Sequence, residues 1–165
     1  MNGMNSSSIL SLVHIAASCL ALVIGAAVLV VRKGDRRHRR LGRVYAVAMV
    51  LVNASAFYIY RLFGGFGPFH VAAVISLLTL LAGIRPVLMR PRPLQWSTTH
   101  MTFMYWSVVG LYAAFASELL VRLPDRSGAH FGVMVGLATG VIMFVAGTLQ
   151  RPLVRRWSKE MEEGR

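Results

Sequence analysis

Residues 32–45 read RKGDRRHRRLGRVY, seven lysines and arginines with one aspartate and one histidine, set between two long apolar runs. In a soluble chain such a density of positive charge would point to a nucleic-acid-binding arm. The flanks decide otherwise. Residues 9–31 (ILSLVHIAASCLALVIGAAVLVV) and 44–63 are each mostly apolar over the length a helix needs to cross a bilayer core, about 20 residues. Two spans would pin the stretch against lipid, and no aromatic platform or DNA-binding fold accompanies it. The reading is a short basic loop, residues 32–43, whose arginines meet anionic headgroups at about 1 kcal/mol each, with no nucleic-acid partner.

The rest of the chain agrees. Of 165 residues 56% are hydrophobic and only 15% charged, where soluble domains carry roughly 45–50% and about 25%. The length suits a single transmembrane domain, residues 1–165. The lone Cys19 lies in an apolar run and cannot form an internal disulfide. The N-terminus lacks a basic n-region, and its apolar run is too long for a signal-peptide core, so it is expected to remain as the first span.

Three further spans are predicted at 67–84, with Pro68 in its first turn, at 100–121 and at 130–149. RLFGGFG (61–67) forms a tight turn before the third, and the prolines of RPVLMRPRPLQW (85–96) prevent the third helix from running into the fourth. Segments 32–43, 85–96 and the tail 150–165 hold seven, three and five Lys/Arg, which is 15 of the 18; Arg61, Arg122 and Arg126 fall on the other side. The positive-inside rule then predicts an all-α integral membrane protein, a five-transmembrane-helix bundle with its N-terminus outside and its C-terminus cytoplasmic.

Ionisable groups inside spans are costly and mark candidate sites. At about 1.5 Å per residue, His14 lies roughly 7 Å from the outer end of its helix and His70 and Glu118 roughly 5 Å, with His130 at the boundary. Four helices thus place metal-capable groups in one layer, while His100 lies at the opposite end, within reach of His38. His14, Ser18, Ala21 and Gly25 share a helical stripe, as do His100, Ser107, Ala114 and Glu118. His70 is alone on its stripe. Gly132, Gly136 and Gly140 form a stripe that admits close helix packing, including homo-oligomer contact. Asn53 is expected to bond between helices and Tyr112 to bond inward. Tyr60, Trp96, Tyr105 and Trp106 are expected near the interfaces. Each polar group also has a plainer reading: His38 and His130 solvated at helix ends, Glu118 paired with Arg122 at i+4.

These elements in order, HIAAS with its apolar run, RKGDRRHRRLGRVY, FGPFHVAAVISLLTLLAG and HMTFMYWSVVGLYAAFASE, resemble the bacterial membrane-protein family known as domain of unknown function 2306. The resemblance covers roughly residues 12–122, with Lys33, Gly34, His38, Arg39, Gly42, Arg43, Tyr45, His14, His70, His100 and Glu118 as the matching positions; the closing span matches only in being apolar. It implies a small multi-span protein of the bacterial inner membrane with histidines in its helices, and no activity.

Three functions compete. A haem or other redox cofactor would be held by two facing histidines, with His14 and His70 the leading pair and His100 with His38 a second. A zinc site would use His14, His70, His130 and Glu118, although no HxxxH or HExxH pair supports it. A non-catalytic accessory or assembly protein would use its polar groups to lock helices together. No phosphate-cradling glycine loop, CxxC or serine or cysteine triad is present, so soluble-enzyme chemistry is not expected.

Overall fold

The computed structural model describes residues 6–58, 68–121 and 129–163. These form five helices: α1 Ser6–Val30, α2 Arg36–Tyr58, α3 Pro68–Leu88, α4 Trp96–Val121 and α5 Ala129–Glu163. All five are long and apolar enough to cross a membrane, and no strand occurs among the described residues. Large apolar side chains cover the outside of every helix, Val23, Val47, Leu78, Leu119 and Phe144 among them. A water-soluble surface does not carry that much contiguous apolar area; lipid is the solvent that fits it.

The helices α1 to α4 form a closed ring in which each touches its two neighbours, and α5 packs on the outside of α4. Two clusters fill the interior. Ala21, Tyr45, Met49, Leu80, Met104 and Val108 join α1 to α4; Met101, Tyr105, Val109, Ala146, Val154 and Trp157 join α4 to α5. Glycine permits the close approaches. A Cβ on Gly25 would sit 3.0 Å from the Tyr45 ring, and one on Gly83 would sit 2.9 Å from Met104 Sδ.

The predicted stripe of Ala21 and Gly25 does face a neighbour, whereas Gly132, Gly136 and Gly140 have nothing within 4 Å and point outward from α5. Only 6% of the membrane window of α5 is buried, against 44% for α4. Whatever packing the fifth-helix glycines serve lies outside the single chain.

Helix boundaries differ from the expected ones where caps act. The basic stretch is helical from Arg36, so the connection between α1 and α2 shrinks to a few residues. The Asp35 carboxylate accepts from the His38 N–H at 2.6 Å, an N-cap bond to the third helical residue. Gly34 takes φ +82°, the left-handed conformation that ends a helix and that glycine adopts without penalty. At the other end of the chain, α5 continues through Pro152 to Glu163, so the predicted tail is mostly helix. The turn 61–67, with Tyr60 before it, and Arg122 with Arg126 lie outside the described residues.

Candidate functional site at the basic end

The chain connection between α1 and α2 builds the most polar interior region of the molecule. Lys33 is 6% exposed and its ammonium donates to the carbonyls of Val28 (3.1 Å), Leu29 (2.8 Å) and Val31 (3.0 Å). An α-helix leaves its last carbonyls without internal partners, and here all three ammonium protons are spent on them. The same ammonium lies 4.4 Å from the centroid of the Trp157 ring on α5. Burial is the main influence on its acidity: it lowers the Lys33 pKa from 10.5 to about 8, with Glu160 pulling it up and Arg156 pushing it down.

One turn along α2, the His38 ring meets the His100 ring of α4 edge to face, centroids 6.3 Å apart and planes at 90°. His100 Nδ1 lies 2.8 Å from the carbonyl oxygen of Gly83 on α3, which makes Nδ1–H the donor and leaves Nε2 as the bare lone pair. His38 Nδ1 is enclosed and has no hydrogen-bond partner, while the Val28 carbonyl faces the ring as an acceptor. His100 is thus tethered through Nδ1 to a backbone carbonyl and offers Nε2, the arrangement typical of a histidine that ligates, while His38 keeps an enclosed Nδ1 without a partner.

The other predicted site residues are dispersed. His14 Nδ1 bonds the Ser55 hydroxyl at 2.8 Å, tying α1 to α2. His70, 3% exposed, tilts against Phe57 of α2 with centroids 6.4 Å apart. Ser55 and Phe57 are two residues apart and so project to opposite sides of α2. His14 and His70 therefore approach that helix from different flanks, and α1 does not touch α3 among the described residues. Glu118 is half-buried on α4; its expected partner Arg122 and the side chain of His130 lie outside the described residues. No group of three His, Cys, Asp or Glu side chains gathers into a metal-holding cluster among the described residues.

The remaining polar side chains bond across or along helices. Tyr45 Oη and Ser107 Oγ meet at 2.9 Å, Ser117 and Thr139 hydroxyls at 3.0 Å, and Tyr112 Oη donates inward to the Leu22 carbonyl at 3.0 Å. Tyr105, expected at an interface, instead lies 4% exposed in the α4–α5 seam and donates to the Ala146 carbonyl at 2.8 Å. Its neighbour Trp106 donates to Gln150 of the same seam. Asn53, expected to bond between helices, turns back along its own, giving Nδ2–H to the Met49 carbonyl at 2.7 Å.

Sequence reasoning placed Lys33 in a basic loop beside lipid headgroups and gave Trp157 no role. The Asp35 cap was the available signal: a capping residue just before the basic run marks a helix start and forces a tight connection whose lysine must fold inward. Nothing local could have announced Trp157, which meets Lys33 only through the packing of α5.

The family model described as "Predicted membrane protein (DUF2306)" matches residues 11–153, so the match extends through most of α5 rather than stopping after the fourth span. No curated protein and no solved structure matches the chain. A match over most of the chain and a five-span, all-helical fold agree: the chain belongs to the DUF2306 family of predicted membrane proteins.

Proposed function

We propose that this multi-pass protein binds a single transition-metal ion at its basic end, with His38 and His100 as its protein ligands. The observation that carries the reading is the enclosed, unpartnered Nδ1 of His38 beside a second imidazole whose own Nδ1 is committed to the Gly83 carbonyl. Imidazole suits zinc, copper, iron and nickel, and ring centroids 6.3 Å apart are within reach of two metal–nitrogen bonds of about 2.0–2.1 Å when those bonds lie nearly in line. Two protein ligands leave open positions on the ion, as sites that meet an exogenous ligand require. The positive-inside asymmetry supports placing this end on the cytoplasmic side of a bacterial inner membrane.

Metal analysis and titration calorimetry on detergent-purified protein test the reading. One equivalent of zinc or copper should bind to the parent chain and be lost in both His38→Ala and His100→Ala. Equal metal in parent and variants rejects it. A Soret band that His38→Ala abolishes would replace the ion with haem.

A second reading has its own support. The hydrogen bonds from His14 to Ser55, Tyr45 to Ser107 and Ser117 to Thr139 lock neighbouring or diagonal helices, as expected of a non-catalytic accessory or assembly protein. Metal-free parent protein, together with lowered abundance in a His14→Ala, His70→Ala double variant, would favour it.

A further inference from the structure

At the same end of the bundle, but on the outer flank of α3 and α4, lies an open groove of about 680 Å³. Its lining is mixed. Arg85, Gln95 and Thr99 line it with polar groups, and Ala82, Leu94 and Phe103 give it an apolar surface. Pro86 also lines it; having no N–H, it cannot complete the helical bond to the Ala82 carbonyl.

Three arginines stand near this groove and two are engaged. Arg90 donates to the carbonyls of Val87 and Met89 at the end of α3, and Arg92 stacks over the Trp96 ring at 4.6 Å. Arg85 is exposed, and its side chain makes no hydrogen bond or ion pair among the described residues. Its guanidinium is a free fork matched to phosphate. The apolar wall beside it continues onto the lipid-facing side chains Leu78 and Leu81 of the same helix.

We propose that this groove holds one anionic phospholipid, its phosphate on Arg85 and its acyl chain along Phe103 and Leu94. A free anion would satisfy only the cationic end. The apolar lining of the groove and the exposed apolar side chains beside it on α3 select a lipid as occupant. Neither His38 nor His100 lines the groove, and the proposal stands independently of metal binding.

Native mass spectrometry of delipidated protein, titrated in turn with phosphatidylglycerol, phosphatidylcholine and inorganic phosphate, reads this out. A single phosphatidylglycerol should bind about tenfold or more tightly than phosphatidylcholine, which offers the same phosphate but sets its choline cation against Arg85. Arg85→Gln should abolish that preference, while Arg155→Gln, which removes an exposed cation of α5, should keep it. Phe103→Ala should weaken both lipids. Preference retained in Arg85→Gln, or lost equally in Arg155→Gln, overturns the proposal by showing general surface charge at work. Phosphate bound as tightly as phosphatidylglycerol overturns it in favour of a free-anion site.

Discussion

The Lys33 ammonium lies 4.4 Å from the centroid of Trp157, joining the connection after α1 to the last turns of α5. Residues far apart in the chain are held by one cation that also satisfies three helix-end carbonyls. The basic end of the molecule is organised around this contact.

Removing the cation should therefore cost more than a surface lysine does. Lys33→Ala leaves the carbonyls of Val28, Leu29 and Val31 without their donor, and hydrogen bonds to charged groups contribute about 1.5–3 kcal/mol each. With part of that recovered by water, a loss of about 2–3 kcal/mol is expected, read as a lower unfolding temperature in detergent. Trp157→Ala should be at least as damaging, since truncating a buried tryptophan costs about 3–5 kcal/mol, and Trp157→Phe should retain much of the cation contact.

The same lysine predicts a dependence on pH. Its folded pKa of about 8 lies below the ordinary 10.5 because burial disfavours the charge, with Glu160 opposing and Arg156 adding to the shift. Between those two values the unfolded chain binds more protons than the folded one, so folding stability rises with pH across that window. Below pH 8 the cost of burying the charge is fully present, and above 10.5 it is gone. Parent and Lys33→Ala proteins compared by denaturant unfolding between pH 8 and 10 should diverge in favour of the parent; parallel curves would refute the shift.

Glycine substitutions should separate packed from unpacked positions. At Gly83 a new Cβ would meet Met104 Sδ at 2.9 Å and its backbone nitrogen at 3.3 Å. Because the backbone contact cannot rotate away, Gly83→Ala should destabilise by about 1–3 kcal/mol and disturb the carbonyl that holds His100. At Gly136 a Cβ meets nothing within 4 Å, and Ala there should stabilise the helix by up to about 0.8–1.0 kcal/mol. Thermal unfolding of the two variants should move in opposite directions.

His14 and Ser55 offer a direct measurement of an interhelical lock. A double-mutant cycle over His14→Ala and Ser55→Ala should give a coupling energy of about 0.5–1.5 kcal/mol, in the range for hydrogen bonds between membrane helices. No measurable coupling would remove His14 from the set of helix-locking groups.

The amphipathic economy of the chain was visible in its residues alone. Five apolar runs and the clustering of Lys/Arg at alternate ends settle a multi-span helical protein, because bilayer thickness and the expense of unsatisfied backbone in lipid leave little else. The candidate histidines were also nameable one by one, since charge inside a span is rare. Their grouping was not. Depth along a helix follows from counting residues, but which flank of α2 each partner meets depends on the ring of α1 to α4, and that placed His14 and His70 apart and His38 beside His100. Likewise the outward aim of Gly132, Gly136 and Gly140, and the meeting of Lys33 with Trp157, follow from α5 docking on α4 alone. Spacing in a sequence sets what one helix can present; only the packing of helices against each other decides what it is presented to.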